Sequence, residues 1–221
     1  MSKFAQDLRL NRSELEGATE FLPAKKTLPT LREAVQECRG CDLYRYATQA
    51  IAGEGSASSI IVFVGEQPGD EEDHQGRPFV GPAGRLFDRA LEEAGIDRSQ
   101  VYVTNAVKHF KFEERGKRRI HKKPSASEAR ACQPWLEAEI EAIKPEILVC
   151  LGATAAQSVF GADYRVTKER GNFVKHRWAP NATSTMHPSA ILRAPDEQRA
   201  IEYQRLVDDL KNVKKLAGKL R

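Results

Sequence analysis

Apolar positions along the chain follow two alternating rhythms. Three short, nearly unbroken runs, Ile60–Val64, Val101–Thr104 and Ile147–Leu151, have the length of strands buried on both faces, and the β-branched segment Ala182–Met186 reads as a fourth strand. Between them the spacing lengthens to that of helices. Leu86, Phe87, Ala90, Leu91 and Ala94 share one face of a segment from Ala83 to Ala94 that Gly95 would cap. Ser127–Ile143 reads as a long helix with Ser125 or Ser127 at its N-cap, Thr154–Phe160 as a short one, and the segment from Asp196 as an amphipathic one carrying Ile201, Leu206, Val207 and Leu210. Leu31, Ala34 and Val35 add a turn or two of helix before Cys38, while the stretch after Gly65 as far as Pro82 reads as loop. Strands alternating with helices predict a three-layer α/β/α sandwich around a central, mainly parallel four-stranded sheet. Residues 1–27 read as a polar leader and 28–221 as one domain, with no internal repeat.

Composition changes this picture little. The 221 residues, 40% hydrophobic, suffice for one good core. No run is long and apolar enough for a membrane helix, and the N-terminus lacks a signal-peptide core, so the expectation is a cytoplasmic protein. Charge is more informative by position than in sum. The net charge is +4, yet Arg115–Lys123 (RGKRRIHKK) alone carries six cations and no acid, leaving the rest of the chain at −2. Such a block is either a solvated surface loop or a footprint for a polyanion, nucleic acid being the commonest. The acidic run Asp70–Asp73 is likewise either a solvated loop or an ion-pair partner for that block.

Each predicted strand is followed by conspicuous chemistry: Glu66 and Gln67 after the first, Asn105 after the second, Gly152 after the third, His187-Pro188-Ser189 after the fourth. In a parallel sheet these share the carboxyl edge, where sites form. Singly, each could equally be a cap or a satisfied loop residue. Together they describe a pocket with a carboxylate, two amides and an imidazole, and Phe79 as an aromatic wall. Of the four cysteines, Cys38 and Cys41 form a C-x-x-C pair, Cys132 opens the long helix, and Cys150 sits inside an apolar strand as a small hydrophobe.

The segments GEQPGDEED, GRPFVGPAG, VTNAVKHF, KRRIH and MHPSAIL together resemble the uracil-DNA glycosylase superfamily, close to its iron–sulfur family 4. Family 4 typically has an alanine at the position of Gln67 and lacks the KRRIH insertion, and both departures resemble the UdgX group, whose members become covalently trapped on the DNA they act upon. The likeness spans about residues 20–215. His109 stands where family 4 has a cysteine, so the resemblance implies a 4Fe-4S cluster held by Cys38, Cys41, His109 and Cys132, with histidine replacing a thiolate as in Rieske centres. The same three-Cys, one-His set would also suit a tetrahedral zinc.

The resemblance further implies a mechanism. Phe79 would stack on a flipped uracil, Asn105 would pair with its O4 and N3 edge, Gln67 would contact base or backbone, and His187 would donate to O2 as charge develops there. His121 would capture the deoxyribose C1′, with Glu66 orienting the ring and taking its proton. Lys117, Arg118, Arg119, Lys122, Lys123 and Ser189 would hold the DNA backbone. The expected partner is uracil-containing DNA, single-stranded by preference because unstacking is cheapest there, with free uracil as product and the protein acting as a monomer. A turnover glycosylase of family 4 type and a non-enzymatic, metal-stapled DNA-binding module are the competing readings.

Overall fold

A computed structural model describes residues 17–220. Four strands form the parallel body of the sheet: β1 (Ile61–Gly65), β2 (Tyr102–Asn105), β5 (Ile147–Leu151) and β7 (Ala179–Thr185). Every residue of the first three is buried. The side chains divide strictly between faces. Ile61 and Phe63 of β1, with Ile147, Val149 and Leu151 of β5, pack against α3 (Pro82–Glu93) and α8 (Asp196–Ala217). Val62 and Val64, with Leu148 and Cys150, pack against α4 (Ala126–Ile143) and α5 (Gly152–Phe160). A strand covered on both sides has no polar face, which is why these runs are unbroken in sequence. Phe63 meets Phe87 edge to face at 5.0 Å, and each such fully buried ring contributes about 2–3 kcal/mol through the area it removes from water.

The sheet has five strands, not the four expected from the pattern, in the order β2-β1-β5-β7-β6. The addition, β6 (Val174–His176), runs antiparallel to β7 at the edge. Its three residues are mostly exposed, so it leaves no apolar run to read. The segment expected as loop before Pro82 contains α2 (Asp70–Gln75), closed by Gly76 in the left-handed region. Glu72 organises its start by accepting from the Gly69 and Gly81 amides, at 3.0 and 2.9 Å. The basic block is not a loop either: β3 (Phe112–Arg115) and β4 (Arg118–His121) form an antiparallel hairpin around Gly116-Lys117, with Gly116 at φ 62°.

A third cluster lies under the N-terminal segment, where Ala18, Leu31, Cys38, Cys41, Leu43, Cys132 and Trp135 pack together. Of the leader expected over 1–27, residues 1–16 lie outside the described residues. Within the remainder, Ala18 is buried and its amide donates to the Ala131 carbonyl at 2.8 Å. Thr27 then caps α1 (Leu28–Ala34). No described helix is long and apolar enough to cross a membrane.

Candidate active site

The carboxyl ends of β1, β2, β5 and β7 open into a cleft of about 830 Å³ whose walls include Glu66, Phe79, Asn105, His121, His187 and Ser189. The strand order therefore gathers residues from four separate parts of the sequence. Asn105 is the last residue of β2 and is buried. It stands against Gly65, where any added Cβ would lie 2.4 Å from the Asn105 Oδ1 and 2.7 Å from the Phe79 ring, so glycine makes the room for both. Phe79 itself adopts φ 60°, a conformation bulky side chains rarely take, and its ring lies 6.3 Å from His187 at an interplanar angle of 26°.

His187 caps α7 (Pro188–Leu192), its Nδ1 accepting the Ser189 amide at 3.1 Å. Burial, followed by the charges of Arg193 and His121, pushes its pKa down to about 4. With Nδ1 accepting and the ring neutral, the one proton sits on Nε2, free to be donated. Gly152, at φ 84°, lets β5 pass His187: a Cβ there would come within 2.7 Å of the histidine Cβ.

His121, at the end of β4, points its Nε2 to Glu66 Oε1 at 3.4 Å. Thr154 of α5 donates to the other carboxylate oxygen, so the carboxylate is held between hydroxyl and imidazole. Burial lowers the pKa of His121, the Glu66 charge opposes this, and Arg193 lowers it further. The ring is thus biased toward its neutral form. Thr154 and Arg193 were not singled out by sequence reading. Thr154 follows Gly152 at a strand end and carried that much signal; Arg193 carried none beyond its charge. It lines the cleft and is exposed.

The hairpin is held to the body by two devices. The side chain of Gln67, expected at the uracil, spends its amide on the hairpin backbone, donating to the carbonyls of Lys111 and Lys122 at 3.1 and 3.0 Å and accepting the Lys111 amide at 3.2 Å. Both amide protons and the oxygen are engaged. Arg119, expected on the DNA backbone, turns inward instead: it reaches Asp70 and Asp73 at 2.6 Å each and His74 Nε2 at 2.7 Å, and lies over the Phe110 and Phe112 rings at 5.5 and 5.0 Å. Asp73 is fully buried, so this pairing is firm. Lys122 pairs with Glu113 at 2.6 Å. Among the described residues, Lys117, Arg118 and Lys123 are exposed and form no ion pair, leaving them as the open cationic face.

The three expected cysteine ligands are buried in one cluster. Two of the sulfurs accept hydrogen bonds, Cys38 from Trp135 Nε1 at 3.1 Å and Cys132 from the Lys108 amide at 3.2 Å. Burial pushes the Cys41 thiol up to about 11 and the Cys132 thiol further. His109 is buried, with its pKa pushed down to about 4 by desolvation. Among the described residues no three His, Cys, Asp or Glu side chains form a group able to hold a metal ion. The three sulfurs, two of them with N–H donors aimed at them, fit the chemistry of an iron–sulfur cluster, and His109 is a buried neutral imidazole of the kind that can replace a thiolate.

The family model of the uracil DNA glycosylase superfamily matches residues 52–211. The chain is 39% identical over 197 residues to a type-4 uracil-DNA glycosylase of Thermotoga maritima, covering 88% of this chain and 97% of that protein. It is 35% identical over 199 residues to the type-4 enzyme of Sulfurisphaera tokodaii, covering 86% and 85%, and 35% identical over 201 residues to that of Archaeoglobus fulgidus, covering 88% and 95%.

Proposed function

The chain belongs to the uracil-DNA glycosylase superfamily, and from that premise we propose that it excises uracil from DNA and captures the resulting sugar on His121. The observation that carries the second half is the contact of His121 with Glu66 at the mouth of the same cleft that holds Asn105, Phe79 and His187. A uracil flipped out of the stack, at a cost of a few kcal/mol that is least in single strands, enters the cleft. Phe79 stacks on it, and the Asn105 carboxamide pairs with O4 and N3, an arrangement that mismatches the amino group of cytosine.

As the bond from C1′ to N1 breaks, its electron pair leaves with the base. The Nε2 proton of His187 faces O2, where the charge gathers, a contribution worth roughly 3 kcal/mol. One nitrogen of the neutral His121 ring attacks C1′, and the proton on its other nitrogen passes to Glu66. The uracil anion takes up a proton from solvent as it is released and Glu66 returns its own to solvent, so the products are free uracil and an N-alkylated imidazole, which is neutral and a poor leaving group, and the adduct persists. Lys117, Arg118, Lys123 and the Ser189 region hold flanking phosphates without reading sequence.

A 4Fe-4S cluster would be held by Cys38, Cys41, Cys132 and His109. Through those residues it would fasten the N-terminal segment, the segment after β2 and α4 to one another.

The type-4 relatives favour a second reading, in which water takes the place of His121 and the protein turns over. One experiment separates the two. A labelled single-stranded uracil oligonucleotide is incubated with the protein and run on a denaturing gel. A shifted band that survives heat and detergent is the expected result. An alkali-labile abasic product with no shifted band would sink the capture by His121, and an unchanged oligonucleotide would sink the glycosylase reading altogether.

A further inference from the structure

Beneath the uracil edge of the cleft lies a buried ion pair that the reaction does not use. Lys108, 1% exposed, folds its side chain back under the end of β2, and Glu139 of α4, 3% exposed, meets it at 2.7 Å. The three ammonium protons have three acceptors: Glu139 Oε2, Thr104 Oγ1 at 2.7 Å and the carbonyl of Asn105 at 3.0 Å. Thr104 donates in turn to Glu139 Oε2 at 2.6 Å, and Glu139 Oε1 accepts the Gly53 amide at 2.9 Å. The same lysine binds α4 a second time, through its amide to the Cys132 sulfur, seven residues before Glu139 and so on the same face of the helix.

We propose that Lys108 and Glu139 are positioning residues for base recognition, setting the aim of the Asn105 side chain by holding its peptide carbonyl. The proposal rests on the reading of Asn105 as the group that pairs with uracil. A buried ion pair gives little stability over an apolar filling of the same volume. What it supplies here is direction. The amides following Asn105 are already tied to β1, Ala106 to the Gly65 carbonyl at 2.9 Å and Val107 to the Glu66 carbonyl at 3.0 Å. The Asn105 carbonyl faces the other way, and the ammonium fixes it. The peptide plane then cannot rotate, and the carboxamide presents its donor and acceptor to the base in one order. Because the same residue binds α4 beside Cys132, the aim of Asn105 is referred to the helix that carries a ligand of the cluster site.

The test is a thermodynamic cycle on the full-length holoprotein, read as the single-turnover rate of uracil release at saturating oligonucleotide. Lys108→Met with Glu139→Gln removes both charges, and the glutamine oxygen still accepts the Gly53 amide. With Asn105 present, the pair change should slow release by about 10- to 100-fold, the cost of a small misplacement. The half-saturating DNA concentration should stay within about twofold, since phosphate contacts are untouched. With Asn105→Ala in place, the same pair change should cost less than about threefold, because the group it positions is gone.

Melting temperature and the absorption near 400 nm report folding and cofactor independently of the reaction. Equal losses in both backgrounds, or no loss in a folded, cofactor-loaded variant, would overturn the proposal while leaving Asn105 as the reader. If Asn105→Ala alone leaves release unchanged, the reading of Asn105 falls and the proposal with it. Should the methionine variant fail to fold, Lys108→Leu with Glu139→Gln, which likewise leaves the Asn105 carbonyl without its ammonium donor, goes through the same cycle under the same criteria.

Discussion

The imidazole of His121 and the carboxylate of Glu66 face each other at 3.4 Å across the junction of the hairpin and the sheet. Fifty-five positions apart in sequence, they meet because β1 ends beneath the hairpin that β4 completes. His121→Ser removes the proposed nucleophile and leaves space for water while Asn105, Phe79 and His187 stay in place. Uracil release should persist and the heat-stable band should vanish, both visible on one denaturing gel. A crosslink surviving this change would rule out His121 as the attacking group.

The pH dependence of capture follows from the groups around that ring. In the proposed mechanism only neutral His121 attacks, and burial holds its pKa below the ordinary 6.5, so the rate should be flat at neutral pH and fall on the acid side, below 6.5. The Glu66 charge raises the histidine pKa. Glu66→Gln should therefore move the acid limb lower still, and slow the plateau by about 100-fold or more through loss of the proton acceptor. Rates of adduct formation between pH 4 and 8 for the two proteins check both signs. An acid limb that moves upward would contradict the arrangement.

His187 gives a separate prediction. Its pKa is near 4 in the folded protein against about 6.5 unfolded, so the unfolded chain binds the extra proton first. The stability tied to its neutrality is complete above 6.5 and is lost as pH falls from there toward 4. His187→Asn should flatten this part of the stability curve and lower uracil release by about 100- to 1,000-fold with little change in DNA affinity. Denaturant melts at a series of pH values, alongside single-turnover release, test the two halves independently.

The cations of the hairpin should divide into two kinds. Lys117→Ala or Arg118→Ala, at exposed and unpaired positions, should weaken binding to every sequence alike and reduce the slope of log K against log salt by about one each. Arg119→Ala should leave the slope nearly unchanged. It strips the buried Asp73 of its cation, lowering stability by about 1.5–3 kcal/mol, and loosens the hairpin so that adduct formation slows. Fluorescence anisotropy across a salt series, with melting temperatures, distinguishes the classes.

Legibility in the sequence followed burial. The strands β1, β2 and β5 are covered on both faces, so their boundaries shift by a residue at most and the residues beyond them could be assigned to one sheet edge. The hairpin is different. Phe112 to His121 carries six charged side chains in ten positions, and its strand form depends on Gln67 and Arg119, contacts of long range that no local pattern records. α2 has the same opacity, because an acidic segment with no apolar stripe reads as loop until its Asp70 and Asp73 are seen to meet a guanidinium. The resemblance offers Gln67 as a contact to base or backbone; its amide is matched to the backbone of the hairpin, a role whose partners lie 44 and 55 residues away.

The clasp formed by Gln67, Asp70, Asp73 and Arg119 has a consequence for anyone wishing to build such a trap elsewhere. In the proposed capture the nucleophile arrives on an appendage whose attachment is electrical as much as geometric, and the receiving half is encoded some fifty residues upstream. Transplanting RRIH alone into a related scaffold would deliver a histidine on a tether. The transferable unit is the appendage together with its acidic dock, two halves of one hinge that evolution or a designer must acquire jointly.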